Sequence, residues 1–183
     1  MILVLMGSIP LFTTNNKIIK DFSKTYSVKD KKSSDKEILY GIVANNYKNE
    51  YCDETLKVMS IILYTNYKYN SKDINKINEK DFIKKYGEKK YTKLKSTVDS
   101  VYGKYLTYKG KIKYIPYFYK SCGYTKSSKK YPYIKEVASP WDNSKSKNTV
   151  GISFNGINQL CKNGCNYQEA LQWYTNGLII AKE

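Results

Sequence analysis

The sequence contains no histidine and no arginine, so all 32 of its basic residues are lysine. Without histidine, a metal site is left with cysteine and carboxylates as ligands. Without arginine, the chain lacks the usual bidentate reader of guanine edges and phosphates. That weakens the nucleic-acid reading that a net charge of +16 otherwise invites. Long apolar runs are missing too. Met1–Phe12 (MILVLMGSIPLF) is broken by Gly7-Ser8 and Pro10. It falls short of the about 20 apolar residues of a spanning helix and lacks the positive start of a signal peptide. Cysteine is scarce, at four residues: Cys52, Cys122, Cys161 and Cys165. They could be free thiols, disulfides or metal ligands. Cys161-Lys-Asn-Gly-Cys165 offers only two ligands where zinc takes three or four. No metal and no cofactor is expected, and small apolar core residues are the simpler reading.

What is present points to one folded domain. At 183 residues and 41% hydrophobic residues the chain can bury a core. Lys, Asn, Ile and Tyr are abundant, a bias that an AT-rich genome produces on codon grounds alone. The charge is therefore a weak guide to partners, with an anionic surface favoured over a specific nucleic acid.

The organising stretch is Glu37–Tyr67. Ile38–Ala44 is a short apolar run, and Asn45-Asn46-Tyr47 follows as a polar interruption, read as a loop between buried elements. From Asp53 to Tyr67, Leu56, Met59 and Leu63 share one face with Val58 and Ile62 beside it. That is helical spacing, with Asp53 and Glu54 at the positive end of the helix dipole. Thr13–Asp35 reads as an edge hairpin. Tyr67–Lys95 reads as a polar surface helix or ordered loop, with few apolar residues (Ile74, Ile77, Phe82, Ile83). β-branched and aromatic residues on both sides of Lys109-Gly110 predict a hairpin within 97–116. Gln159–Gly164 reads as a short helix ended by Asn163-Gly164. Asn166 and Glu169 form a capping box opening a last helix that turns Ala170, Leu171 and Tyr174 inward and stops at Asn176-Gly177. The fold class expected is α+β: a single mixed domain, a long helix packed on an antiparallel sheet, and short C-terminal helices.

Several of these runs together resemble stage II sporulation protein D and the related amidase-enhancer domains. Glu37-Ile-Leu-Tyr-Gly-Ile-Val-Ala-Asn-Asn-Tyr47 matches the family's EYxxGVVAAEM. Glu54 to Thr65 matches the helix EALKAQAVAARTYA. Ser100–Ile112 matches TxGxVLTYxGKPI, and Tyr117–Thr125 matches YHSTSGGKT. Tyr133–Asp142 matches YLxSVxSPWD, the most specific run, and Gly151–Gly156 matches GMSQYG. The resemblance covers residues 37–67 and 97–181. It implies a domain over 13–183, with 1–12 as a degraded or truncated membrane anchor. It also implies an extracytoplasmic place between mother cell and forespore, although the residues themselves leave the cytoplasm open.

The family is implicated in cutting peptidoglycan glycan strands as a lytic transglycosylase during forespore engulfment. Its catalytic acid is the glutamate of the AEM triplet, and that position here is Asn46. Asparagine neither gives nor takes a proton at accessible pH. Glu50 is the nearby carboxylate that could substitute. The resemblance implies substrate contacts at Tyr117, Ser121, Gly123, Thr125 and Ser153. Other polar positions of the pattern are replaced: Met59 and Tyr64 stand for Gln and Arg, Phe118 and Asn148 for two histidines, and Phe154 for a Gln. Glycine, turn and apolar positions are kept. The expectation is a catalytically inactive protein that binds peptidoglycan glycan strands or anionic wall polymer. One alternative is an active lytic transglycosylase using Glu50. The other is a non-enzymatic partner of a cell-wall amidase or other sporulation protein, docking through an apolar groove of Tyr64, Phe118 and Phe154. Specific nucleic-acid binding is not expected.

Overall fold

The computed structural model describes residues 34–71, 75–145 and 149–183. The readings of 1–12 as an anchor and of 13–33 as a hairpin, along with Ile74 and Asn148, lie outside the described residues.

Helix α1 spans Asp35–Asn46. It starts from a reciprocal capping box, in which Ser34 Oγ accepts the Glu37 N–H (3.2 Å) and Glu37 Oε2 accepts the Ser34 N–H (3.1 Å). The apolar run 38–44 is therefore helical, burying Leu39, Tyr40, Ile42, Val43 and Ala44. Asn45 and Asn46 are its last residues, not a loop; the connection to the next helix begins at Tyr47. Asp35 likewise belongs to this helix rather than to a hairpin.

Helix α2, Asp53–Tyr69, is the centre of the fold. Every residue from Val58 to Thr65 is buried, so no face of that stretch meets water. Its hydroxyl residues stay satisfied inside the helix. Ser60 Oγ donates to the Leu56 carbonyl and Thr65 Oγ1 to that of Ile61, both at 2.6 Å.

Helices α3 (Glu79–Tyr86) and α4 (Glu88–Asp99) follow. The surface character expected here gives way at Phe82, Tyr91 and Leu94, which are buried, Phe82 packing against Tyr47, Tyr86 and Tyr91.

Strand β1 (Lys104–Tyr108) pairs antiparallel with β2 (Lys111–Ile112) and with β5 (Leu178–Lys182). Lys109 (φ 50) and Gly110 (φ 72) form the expected two-residue turn, with both residues in the left-handed region that such hairpins need. Helix α2 packs on this three-stranded sheet. A second, two-stranded parallel ladder joins β3 (Tyr117–Phe118) to β4 (Ile152–Ser153). Helix α5 (Phe154–Lys162) starts directly from β4, and α6 (Tyr167–Tyr174) opens with the expected Asn166–Glu169 capping box. Ala170, Leu171 and Tyr174 are buried. Residues 34–183 form one compact unit, a mixed α+β domain. Among the described residues no helix is long and apolar enough to cross a membrane.

Gly156 of α5 is the tightest point of this packing. A Cβ there would come within 1.9 Å of the Tyr174 hydroxyl and 2.6 Å of Ser139 Oγ. Substituting Gly156→Ala should cost about 3 kcal/mol of unfolding free energy by overpacking. In a Tyr174→Phe background the same change should cost less, by about 1 kcal/mol or more, because its closest obstacle is gone. Urea denaturation of the two single variants and the double variant checks this. Strict additivity would show that α5 shifts as a body instead of clashing.

Candidate functional site

The last turn of α1, the second half of α2, Asn75 and two tyrosines of the 113–118 segment enclose a cleft of about 400 Å³. Its walls carry five asparagines (Asn45, Asn46, Asn66, Asn70, Asn75) and four tyrosines (Tyr67, Tyr69, Tyr114, Tyr117), with Ile42 and Leu63 as the apolar part. Among the described residues, no carboxylate and no lysine lines the cleft.

The cleft is held open by backbone-like hydrogen bonding from one side chain. Asn66 Nδ2 donates to the Ile115 carbonyl (2.8 Å), and its Oδ1 accepts the Ile115 N–H (2.6 Å). That pair fixes the segment carrying Tyr114 and Tyr117 against α2. Tyr117 stacks on Phe154 at 4.9 Å and 25°, so its ring cannot swing away. Tyr67 donates its hydroxyl to Asp35 (2.7 Å), which pins the ring. Tyr69 and Tyr114 also wall a neighbouring recess of about 350 Å³ with Lys113, Lys130, Tyr131 and Tyr133. Their rings, 6.2 Å apart, stand between the two spaces.

Asn46 is in this cleft. Its Nδ2 donates to the Ile42 carbonyl one turn back (3.0 Å), leaving the amide oxygen as the acceptor it can offer to a ligand. Glu50 is not among the cleft's lining residues. Its carboxylate accepts the Tyr119 hydroxyl (2.7 Å), and that bond, against a smaller desolvation cost, holds its pKa below the usual range. Tyr119 is correspondingly pushed up to about 12, first by the same bond. A general acid needs the opposite shift.

Of the substrate contacts implied by the resemblance, Tyr117 alone lines the cleft. Ser121, Thr125 and Ser153 are fully buried and serve as structural links, with Gly123 beside them. Asp142, the last residue of the Ser139-Pro-Trp-Asp run, is the hub. Its Oδ2 accepts the Ser121 N–H (2.8 Å), the Ser121 hydroxyl (2.7 Å) and the Ser139 hydroxyl (2.9 Å). Its Oδ1 accepts Asn155 Nδ2 (2.7 Å). Since Ser139 donates to Asp142, the Tyr174 hydroxyl 3.0 Å away is the donor to Ser139. Thr125 Oγ1 bridges the Lys135 carbonyl (2.9 Å) and the Val137 N–H (3.1 Å), while Gly123 accepts the Ser139 N–H (2.8 Å). Ser153 is the N-cap of α5, accepting the Gly156 N–H (3.0 Å).

The groove expected from Tyr64, Phe118 and Phe154 does not form. Tyr64 is buried, 1% exposed, beside Tyr67 and Tyr102, with its hydroxyl donating to Glu183 (3.2 Å). Phe154 is buried under Tyr117, and Phe118 is half-buried in β3. Met59 is fully buried in α2. Large apolar or aromatic side chains at these positions fill the interior instead of lining a surface. Among the described residues no group of three or more cysteines and carboxylates could hold a metal ion.

Burial alone would raise the pKa of Asp142, but hydrogen bonds from Ser153, Asn155 and Ser121 outweigh it, and the net direction is down. A depressed carboxylate stabilises the fold above its unfolded pKa, and that contribution is lost as pH falls through the folded value. Acidification below about pH 4 should therefore weaken the domain. Asp142→Asn should lose about 3 kcal/mol near neutral pH, since one amide oxygen cannot accept from all of these donors. It should also show a shallower acid dependence, readable by denaturant titration across that range. No protein-family model and no curated protein matches the chain, so its site is read from its own residues.

Proposed function

We propose that the protein binds peptidoglycan glycan strands without cleaving them, as an inactive counterpart of the sporulation lytic transglycosylases its motifs resemble. The observation that carries this reading is the composition of the Asn46 cleft. Neutral amides that both donate and accept, set among tyrosine faces, suit a ligand built of hydroxyl- and acetamido-bearing rings. Glycosidic cleavage needs a carboxyl beside the leaving oxygen, and none of the described lining residues supplies one. Glu50 is engaged with Tyr119 and shifted the wrong way for a donor. The lysine-rich exterior would add attraction to anionic wall polymer. Under this reading the protein acts outside the cytoplasm, in the wall between mother cell and forespore.

The test is incubation with glycan strands stripped of their stem peptides, reading both co-sedimentation and release of anhydro-ended fragments. The unmodified protein should sediment with the strands and release nothing. Tyr114→Ala and Tyr117→Ala should each weaken binding about tenfold, the loss of one well-placed aromatic contact. Asn46→Glu should still bind. Release of fragments by the unmodified protein would overturn the inactive assignment. Failure to sediment by a folded protein would overturn glycan binding itself.

A further inference from the structure

Cys52 is the N-cap residue of α2, and its side chain does not cap the helix. Its sulfur instead lies 3.1 Å from Thr55 Oγ1 and against the thiol of Cys161. The contact is secured from the α5 side by Asn158. That side chain accepts the Cys52 N–H (3.1 Å) and the Thr55 hydroxyl (3.0 Å) through Oδ1, and its Nδ2 donates to the Glu50 carbonyl (3.1 Å). Cys161 follows Asn158 by three residues, so it lies on the same face of α5. Two thiols distant in sequence are thus held together across the α2–α5 junction, both free and both half-buried.

We propose that Cys52 and Cys161 form a reactive dithiol in which Cys52 is the nucleophile towards small disulfides and Cys161 the resolving thiol. The Cys52 thiolate attacks one sulfur of a disulfide RSSR, forming a mixed disulfide and expelling RS⁻. Cys161 then gives up its proton, attacks the Cys52 sulfur and expels the second RS⁻. The two protein thiols are oxidised by two electrons, the disulfide is reduced to two thiols, and the two protein protons end on them. The product ties the first turn of α2 to the last turn of α5.

The surroundings favour these roles. Cys52 is lowered to about 5, first by the hydrogen bond from Cys161, which outweighs burial, and then by Thr55 and the backbone N–H groups of Thr55 and Glu54. Cys161 is pushed up, first by the same contact and then by burial. Of the charged groups around the pair, Lys93 of α4 bears on Cys52 and is itself paired with Asp53 (2.8 Å), while Glu54 bears on Cys161. Lys93 favours a thiolate at Cys52, while Glu54 disfavours one at Cys161. Cys52 is therefore the thiol that attacks first, and Cys161 deprotonates only in the resolving step.

The experiment is treatment of the full chain with oxidised glutathione, followed by non-reducing peptide mapping. The unmodified protein should yield the Cys52–Cys161 cross-link, with a mass loss of two hydrogens. Cys161→Ser should stop at glutathione on Cys52, and Cys52→Ser should show neither product. In the unmodified protein at pH 6, iodoacetamide should label Cys52 faster than Cys122 or Cys165, which are similarly exposed. The hydrogen bonds from Cys161 and Thr55 that lower the Cys52 thiol favour its thiolate, the form that is alkylated. Glutathione settling first on Cys122 or Cys165, a Cys161–Cys165 cross-link, or equal labelling of all thiols would each overturn the proposal. The unmodified protein alone decides these outcomes, so misfolding of a variant does not obscure them.

Discussion

The burial of α2 on all sides from Val58 to Thr65 is the constraint on which the domain depends. A helical stretch with no solvent face must be satisfied by its neighbours in every direction, and here these are α1, α4, α5, α6 and the β1 sheet. Each is short, and isolated helices of eight to twelve residues are marginal in water. Their stability comes from the apolar surface that α2 presents, worth roughly 1.5–3 kcal/mol for each fully buried Leu, Ile or Met side chain. The cleft is a consequence of the same arrangement. Where α2 emerges from the core, beyond Thr65, Asn66, Tyr67 and Tyr69 line the opening.

Polar side chains on α2 and its neighbours do the work of specifying that arrangement. Thr65 accepts the Leu106 N–H (2.8 Å), fixing β1 on the helix. Asn66 captures both backbone groups of Ile115. Glu54 accepts the Tyr167 N–H (2.8 Å) and thereby holds the start of α6, while Asn158 reaches back from α5 to the start of α2. Apolar burial is tolerant of small slides between elements. A directional bond to a buried backbone group is not, because a displaced partner leaves that group unsatisfied. The α2 side chains therefore set the position of the segments that carry Tyr114 and Tyr117.

Much of this was legible in the sequence wherever the signal is local. The spacing of Leu56, Met59 and Leu63, the Lys109-Gly110 turn, and the Asn166 to Glu169 capping box each describe a structure that forms within a few residues. Helix α1 carried its own local signal, Ser34 followed by Glu37, but β-branched Ile42 and Val43 and the glycine before them obscured it. The strands that depend on distant partners were less legible. β3 and β4 are two residues each, and only their parallel pairing across the chain makes them strands. The cleft was partly legible through Asn46 and Tyr117. Asn66, Tyr69 and Tyr114 carried no sequence signal, because their shared space is created by tertiary packing. Ser121, Thr125 and Ser153 show the converse, since small polar residues in a motif can serve buried hydrogen bonding as readily as ligand contact.

Under the proposed reading, the position of Asn46 shows how an asparagine can stand in place of an acid with the local geometry kept. Residue 46 ends α1, where the unpaired carbonyls of the last turn make the local potential negative. A carboxyl group there would hold its proton more tightly than in water, as a proton donor to a leaving oxygen requires. In that protonated form its O–H would face the Ile42 carbonyl. Asparagine presents an N–H to the same carbonyl and an oxygen to the cleft, so it reproduces the hydrogen-bonding pattern of the neutral acid. What it removes is the proton's mobility alone. Recognition by hydrogen bonding and aromatic contact is therefore compatible with an asparagine at this position.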